Sequence, residues 1–360
     1  MRKPKKQKRK IDAAPSASLD LRVALNVILD QVMIQLKANA ANILLFDPHT
    51  KTLISAARSG FRSHASASDP RLGEDRAGRA ALDRRIITVP DLAAEPAEFV
   101  RSAKFAEEGF VSYVAIPLIA KGQVKGMLEV LYRVPLSPTE DWLRSLDALA
   151  GQVAMAIDNA NLLDDLQSAN LDLTRAYETT LEGWSKAMAL RDKETEGHTA
   201  RVTELTVRLA HAMGVPDADL VHIRRGALLH DIGKMGIPDQ ILLKPGPLTD
   251  EEWVVMKKHP AHGYELLSPI PYLRQALDVP YCHHEKWDGT GYPRGLKGEQ
   301  IPLAARICAV ANVWDALRSN VPYRPAWSQE RAIDYIREQA GKHFDPAVVD
   351  VFLRLIGQSV

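Results

Sequence analysis

An adjacent histidine and aspartate in the C-terminal half of the chain, His230 and Asp231, are the residues best suited to chemistry. A neutral imidazole nitrogen and a charged carboxylate oxygen are both preferred ligands of divalent transition metals. Apolar residues at helical spacing precede the pair, so we expect it to close a helix. Lys234 would then lie one turn beyond His230 on the same face, where its ammonium could contact a phosphate held on a metal. His-Asp pairs are common by chance, so this interpretation depends on the other histidines.

Nine of the eleven histidines lie in the second half, where four separate segments carry candidate metal ligands. These ligands are Glu194, His198, His230, Asp231, His259, His283 and His284. Most of these histidines precede a glycine or proline that should end a helix, and ligands at helix ends can meet in one cavity of a bundle. A single histidine is more often a hydrogen-bonded, partly buried residue. Four segments, two of them with adjacent ligand pairs, are much harder to explain in that way.

The elements around these residues predict an all-α bundle from about residue 183. Apolar stripes recur at helical spacing over residues 202–213, which end at Gly214, and over residues 303–317. Residues 249–252 read Thr-Asp-Glu-Glu, a capping box that begins a helix. No alternation typical of strands is found in this half. Helices and the turns between them should therefore position the candidate ligands.

The first half combines helical and strand patterns. Apolar residues recur at three- and four-residue steps over residues 21–36, which predicts a helix. Strands are predicted over residues 42–46, 52–56, 86–89, 112–120 and 123–133. Lys121 and Gly122 should form the hairpin turn between the last two, and Pro117 should lie at a sheet edge or a bulge. This order predicts an α+β sandwich of the sensor type.

A long helix is predicted between the two halves. Its apolar residues keep the three- and four-residue steps of a heptad seam, at Trp142, Leu146, Leu149, Val153, Ala156, Ala160 and Leu163. The pattern continues out of phase through Leu166, Leu173 and Leu181, as a stutter would produce. Either the helix is buried in the first domain, or it is a parallel dimer helix that joins the domains. Its extension beyond the sensor region favours the dimer helix.

Composition limits the class of protein. A chain of 360 residues with 46% hydrophobic and 25% charged residues predicts two soluble globular domains. Seven of the 46 basic residues lie within the first ten positions, which we predict to be a disordered tail. The rest of the chain has 39 basic and 45 acidic residues, so it offers no general basic surface for a nucleic-acid polymer. No apolar run approaches the ~20 residues of a membrane span. Two cysteines, Cys282 and Cys308, exclude a disulfide framework and fit the cytoplasm.

The first half resembles a GAF domain over about residues 19–161. The resemblance lies in the order of elements and in the sequences YVAIPL at 113–118 and GMLEV at 126–130. It implies a regulatory module that binds a small molecule or dimerises. The ligand is not readable from the sequence. A thioether-linked bilin is excluded, because this region has no cysteine.

The second half resembles the HD-GYP subgroup of the HD phosphohydrolases over about residues 186–360. The motifs are HDIGK at 230–234, HP at 259–260 followed by Gly263, and HHEKWDGTGYP at 283–293. The resemblance implies an all-helical domain with two or three divalent metal ions, most often iron or manganese. It also implies hydrolysis of cyclic di-GMP to pGpG or onward to GMP.

The resemblance assigns roles to individual residues. It implies metal ligation by His198, His230, Asp231, His259, His283 and His284, and by Glu194 where a third metal is held. It implies that Lys234 contacts a substrate phosphate and, with Asp231, carries catalysis. The substrate pocket would be bordered by Gly289, Gly291, Tyr292, Pro293, Tyr323 and Arg324.

Two positions depart from the family pattern. Asn312 stands where the family has an aspartate ligand, and its neutral amide would be a poorer metal donor. Val321 stands where the family often has an arginine, which leaves Arg324 as the nearby cation. One alternative is therefore a degenerate domain that binds a cyclic dinucleotide or a partner without turnover. Another is hydrolysis of a different nucleotide. The number of ligands still present favours catalysis over a degenerate domain, and the Gly291-Tyr292-Pro293 loop argues against a different nucleotide.

These inferences predict an α+β GAF-like sensor domain, an antiparallel sheet with helices, joined by a long helix to an all-α helical bundle. The expected divisions are a basic tail over residues 1–18, the sensor over 19–158, the linker helix over 159–184 and the phosphohydrolase over 185–360. The expected partners are cyclic di-GMP, an unknown small ligand of the sensor and a second copy of the chain through the linker helix. Neither a nucleic-acid polymer nor a membrane span is expected.

Overall fold

The computed structural model describes residues 16–62, 69–94, 101–192, 197–320 and 325–357. The chain divides into two compact units, Met1–Asp172 and Leu173–Val360. Most of the predicted basic tail, residues 1–15, lies outside the described residues. Within the described ranges, no helix is both long enough and apolar enough to cross a membrane.

The first unit is organised around an antiparallel sheet of five strands in the order β2-β1-β5-β4-β3. The strands are β1 (Ala40–Asp47), β2 (Thr52–Ser59), β3 (Ile87–Val89), β4 (Ser112–Ala120) and β5 (Gln123–Tyr132). Its helices are α1 (Ser16–Gln35), α2 (Asp75–Asp83) and α3 (Ser102–Glu107). The predicted α+β class is confirmed.

Both faces of the central strands are covered, so their apolar residues run nearly without interruption. In β4, Val114 and Ile116 pack into the cluster that includes α1, whereas Tyr113 and Ala115 pack into the cluster that includes α2. Pro117 lies beyond the pairing of β4 with β3, which ends at Ala115. Its missing N–H is therefore not needed on that side, as the sequence predicts for an edge position.

Helix α4 (Glu140–Asp192) is 53 residues long. The first part of its predicted seam, including Leu146, Leu149 and Val153, is buried in the core of the first unit, so the buried-helix interpretation is right there. Residues 161–177 are almost entirely exposed to solvent. Farther along, Leu181 and Met188 are buried again, in a core of the second unit. The dimer helix stays a prediction.

The second unit is all-α in the part of the chain that the structure describes, as predicted. Its helices are α5 (His198–Ala212), α6 (Asp217–Leu228), α7 (Asp239–Leu242), α8 (Asp250–Met256), α9 (His259–Leu267), α10 (Asp278–Cys282), α11 (Leu303–Arg318), α12 (Gln329–Glu338) and α13 (Pro346–Gly357). Short 3-10 helices lie at Ile232–Gly236, Pro271–Ala276 and Gly298–Gln300. The predicted capping box is formed by Thr249 and Glu252 at the start of α8.

Candidate metal centre

The His230-Asp231 pair lies just beyond the end of α6, in the turn before the 3-10 helix at Ile232–Gly236. This turn packs directly on the start of α9. A Cβ at Gly233 would lie 1.8 Å from the His259 carbonyl oxygen and 2.4 Å from the Gly263 nitrogen, so only glycine permits the contact. The glycines of the two motifs therefore bring His259 beside Asp231.

Four side chains meet at this contact. The candidate ligand atoms of Asp231, His259, His283 and His284 all lie within 4.8 Å of one another. Asp231 Oδ1 is 3.4 Å from His259 Nε2 and 3.7 Å from His283 Nε2, and the two Nε2 atoms are 3.4 Å apart. Three sequence segments that are separated by more than twenty residues from one another thus converge on one buried cluster.

Backbone carbonyls orient three of the imidazoles. The Nδ1 atoms of His230, His259 and His283 lie 2.8 Å from Ala227 O, 2.9 Å from Met256 O and 3.0 Å from Val279 O, respectively. A carbonyl oxygen only accepts, so each Nδ1 carries the proton and each Nε2 presents its lone pair. Such second contacts fix the tautomer and the ring orientation of metal-binding histidines.

The charge states of the four residues suit metal ligands. Burial lowers the pKa of His259 to about 4, lowers that of His283, and holds that of His284 well below its usual range, so all three are neutral at pH 7. Burial would raise the pKa of the Asp231 carboxyl, but the Lys234 ammonium and the contacts with the His230 and His283 imidazoles outweigh that effect and hold it well below its usual range. Asp231 is therefore an anion.

The cluster fits a divalent cation. Two ligands that are each about 2.1 Å from one metal lie about 3–3.4 Å apart, which is close to the distances between the ligand atoms here. Two imidazole lone pairs and a carboxylate oxygen at this spacing repel each other unless a cation lies between them. Asp231 Oδ1 is buried and accepts no hydrogen bond from the described residues. A buried acceptor in that state costs free energy that a metal would recover.

His198 and Asn312 lie outside the four-residue group. His198 Nδ1 contacts Asp315 Oδ2 at 2.7 Å, and the centres of the His198 and His230 rings are 6.0 Å apart. Burial opposes ionisation of Asp315, but hydrogen bonds from His198 and Arg201 lower its pKa to about 2. Asn312 is partly buried in α11. Glu194 falls outside the described residues.

Lys234 is the cation beside the cluster. Its Nζ lies 2.7 Å from Asp231 Oδ2 and 3.1 Å from Asp192 Oδ2. Lys234 was predicted one α-helical turn beyond His230, on the same face. It lies instead in the 3-10 helix, and its ammonium contacts Asp231. Lys234 remains beside the candidate ligands, as its predicted role requires.

The loop after His284 covers one side of the cluster. The Tyr292 ring stacks on the His284 imidazole at a centroid distance of 4.8 Å, and burial raises the pKa of its phenol. Gly289 has a φ of +87°, and a Cβ at Gly291 would lie 2.3 Å from the Lys286 nitrogen. The buried Glu285 carboxylate accepts hydrogen bonds from the backbone N–H groups of Arg294 and Leu296, which pins the loop beyond Pro293.

Family models match both units. The model of the GAF domain matches residues 18–158, and the model of the HD domain matches residues 184–348. The chain is a GAF domain followed by an HD domain. Its HD domain carries the His230-Asp231 and Gly291-Tyr292-Pro293 signatures of the HD-GYP type. HD-domain phosphohydrolases depend on metals, which agrees with the ligand cluster.

Curated relatives match about half of the chain. A cyclic di-GMP phosphodiesterase of Vibrio cholerae is 41% identical over 218 residues, which are 56% of this chain and 44% of that protein. A cyclic di-GMP phosphodiesterase of Thermotoga maritima is 47% identical over 167 residues, 46% of this chain and 45% of that protein. A 3'3'-cGAMP-specific phosphodiesterase of Vibrio cholerae is 37% identical over 203 residues, 56% of this chain and 38% of that protein. The chain thus spans less than half the length of these three relatives.

The HD domain therefore gathers some of the predicted residues and not others. Asp231, His259, His283 and His284 form the cluster, His230 and Lys234 contact Asp231, and Tyr292 stacks on His284. Val321, Tyr323 and Arg324 lie outside the described residues. Sequence reasoning missed Asp192, Glu285 and Asp315, because a carboxylate with no metal-ligand spacing gives no signal in one sequence.

Proposed function

We propose that this protein is a metal-dependent phosphodiesterase that hydrolyses cyclic di-GMP to pGpG or GMP. The observation that carries the proposal is the buried cluster of three neutral imidazoles and one carboxylate with Lys234 beside it. The matching relatives are named for hydrolysis of cyclic dinucleotides. Two or three ions, iron or manganese, are the cofactors we propose.

In this proposal the cluster residues hold the metals and Lys234 binds the substrate. Asp231, His230, His259, His283 and His284 are the proposed ligands, joined by His198, Glu194 and, more weakly, Asn312. Bound divalent metals would supply an activated water and stabilise charge on the phosphodiester. The Lys234 ammonium, 2.7 Å from Asp231, is placed to pair with a phosphate oxygen at the edge of the cluster.

We propose that the loop at residues 289–293 forms the wall of the substrate site. Tyr292 stacks on His284 and lies 6.4 Å from His259 between ring centres, so its ring shields the cluster from bulk water. Gly289, Gly291 and Pro293 shape that wall, and Tyr323 and Arg324 are proposed as further substrate contacts. A base of the dinucleotide could stack on the exposed side of this wall.

The GAF domain is the proposed regulator. We propose the divisions 19–158, 159–184 and 185–360 for sensor, linker helix and phosphohydrolase, and an unknown small ligand for the sensor. The exposed span of α4 carries Leu162, Leu166 and Leu173 on one face, at steps of four and seven residues. That spacing supports a homodimer through this stripe, which differs from the seam buried in the first unit.

A second substrate is favoured by one specific observation. Three of the curated relatives are named 3'3'-cGAMP-specific phosphodiesterases and are 34–38% identical over the matched segments. Cyclic di-GMP and 3'3'-cGAMP share the phosphodiester ring and differ in one base. The cluster that acts on the phosphates would serve both, and the base contacts would decide between them.

A hydrolysis assay on the full chain tests the proposal. Protein purified without oxygen and supplied with Fe²⁺ or Mn²⁺ is given cyclic di-GMP, 3'3'-cGAMP and a generic phosphodiester. We expect turnover of a cyclic dinucleotide that falls by about 100-fold or more in His259→Ala, since even outer contacts of metal ligands are worth 10–100-fold. Binding without turnover, restored by Asn312→Asp, would instead support the degenerate domain.

A further inference from the structure

The last turn of α4 makes hydrogen bonds to the 3-10 helix that carries Lys234. The Arg191 guanidinium donates to the carbonyl oxygens of Lys234 at 3.2 Å, Met235 at 2.7 Å and Ile237 at 2.9 Å. It also pairs with Asp239 at 2.9 Å. One side chain thus donates to three carbonyls at the end of the 3-10 helix, where carbonyls run out of helical partners.

Asp192, the next residue, holds the Lys234 side chain itself. Asp192 Oδ2 lies 3.1 Å from Lys234 Nζ, and the Asp192 side chain is only 3% exposed. The second carboxylate partner of Lys234 is Asp231, at 2.7 Å. The ammonium therefore lies between a carboxylate of the metal cluster and a carboxylate that is not part of that cluster.

Asp231 and Asp192 differ in how strongly they can attract Lys234 once a metal is bound. Asp231 is a proposed metal ligand, and a carboxylate that shares its charge with a metal attracts a neighbouring ammonium less strongly. The attraction of Asp192 is not shared in this way, and its burial keeps that attraction from being screened by solvent. Asp192 is thus the partner able to keep Lys234 at the edge of a metal-loaded site.

We propose that Asp192 and Arg191 are positioning residues for the reaction, which hold Lys234 where it receives a phosphate of the cyclic dinucleotide. The inference rests on the proposed phosphodiesterase function and adds two residues to it. Arg191 fixes the backbone of the turn, and Asp192 fixes the ammonium. Both residues lie in the last turn of α4, so the local contacts of that turn, rather than the docking of the whole helix, hold the cation.

Anchoring of α4 does not by itself account for these contacts. Within the second unit, Glu178 of α4 already pairs with Arg224 at 2.8 Å and with Arg225 at 2.7 Å, and Tyr272 contacts the same carboxylate. Leu181 and Met188 add apolar burial. Glu178→Gln is therefore a matched control, since it weakens the docking of the same helix without touching Lys234.

The test is a double-mutant cycle between Asp192 and Lys234 in the full, metal-loaded chain, with cyclic di-GMP as the probe. We measure KM and kcat, the nucleotide Kd by calorimetry, and the metal content of each variant. Asp192→Asn should raise KM and Kd about 10-fold while kcat changes by less than about 3-fold, the pattern of a lost binding contact. Metal content should stay at the wild-type value. Glu178→Gln should keep the wild-type KM and Kd.

Non-additivity is the deciding result. In a Lys234→Met background, Asp192→Asn should have no further effect on Kd, because the residue acts only through that lysine. Arg191→Lys keeps the positive charge but loses the contacts of the guanidinium with three carbonyls, so it should raise Kd when Lys234 is present and not in the Lys234→Met background. This variant provides the test if Asp192→Asn folds poorly. Additive effects, or wild-type Kd in both variants, would overturn the inference. If the wild-type protein binds cyclic di-GMP but does not hydrolyse it, the proposed function is wrong. The double-mutant cycle measured through Kd would still decide whether Asp192 and Arg191 act through Lys234.

Discussion

At the scale of the residue, the site is defined by protonation states that burial imposes. Three imidazoles are neutral and one carboxylate is ionised, although all four lie within 4.8 Å of one another. Metal ligands must be deprotonated, so the fold prepares the donors before any metal arrives. The same burial makes the metal-free protein sensitive to acid.

The pH dependence of stability follows from the pKa of His259. Its folded value of about 4 lies below the ordinary 6.5, so between these values the unfolded chain binds a proton that the folded chain does not. Stability is therefore full above pH 6.5 and is lost as pH falls toward 4. In metal-free protein, His259 alone should cost about 2 kcal/mol of unfolding free energy between pH 7 and pH 5.

Denaturant unfolding of metal-free protein at a series of pH values measures this dependence. A His259→Gln variant should lose stability less steeply below pH 6.5 than the wild type does. His222→Gln is the control, because no metal cluster includes that histidine among the described residues. Equal slopes in the wild type and in His259→Gln would show that His259 is not held neutral by burial.

At the scale of the element, the site is made by helix ends that pack without side chains between them. The 3-10 helix at Ile232–Gly236 lies on the start of α9, and Gly233 is the point of closest approach. From residue type and order, the sequence motifs predicted a larger ligand set than the structure brings together, since His198 and Asn312 lie outside the group of Asp231, His259, His283 and His284. They did not predict the carbonyl contacts that orient the rings, since these depend on where each helix stops.

Gly233→Ala should disrupt this packing. The added Cβ would lie 1.8 Å from the His259 carbonyl oxygen, so the backbone of the turn or of α9 must move, at a cost of about 2–3 kcal/mol. We expect a lower melting temperature and weaker metal binding, as thermal unfolding and metal titration would record. Gly183→Ala, a helical site with open space around it, should be neutral or slightly stabilising. A wild-type melting temperature in Gly233→Ala would contradict the close packing.

The long helix shows where sequence reasoning reaches its limit. The heptad spacing predicted a helix, and α4 is one continuous helix over Glu140–Asp192. The spacing could not say which partner each stretch buries, because a sheet and a second helix both accept an apolar stripe. The stretch at residues 146–157 packs within its own unit, whereas the stripe at Leu162, Leu166 and Leu173 is exposed.

At the scale of the whole molecule, the chain joins a GAF domain and an HD domain by a helix that belongs to both units. Fold class was predictable for each, since short apolar runs between turn residues indicate strands, whereas apolar residues at three- and four-residue steps indicate helices. Buried ion networks were not. Within the first unit, Glu129 accepts from Tyr113, Arg101 and Asn42, and none of these contacts has a sequence signature.

The oligomeric state tests the proposed role of the exposed stripe. Leu166 is 66% exposed, and burying it against a second copy would stabilise a dimer. Leu166→Glu should convert a dimer into a monomer in light scattering coupled to gel filtration. Ser168→Glu, on the opposite face of α4, should leave the dimer intact. A wild-type protein that is monomeric at micromolar concentration would remove the dimer without affecting the metal site.

The most direct test is to measure the metal content of the full chain, purified without oxygen, by inductively coupled plasma mass spectrometry. We predict at least one iron or manganese per chain in the wild type, a loss of that metal in His283→Gln and Asp231→Asn, and retention in His343→Gln, whose imidazole lies outside the four-residue group. A wild-type protein that binds neither metal, or cluster variants that keep the full content, would contradict the central claim.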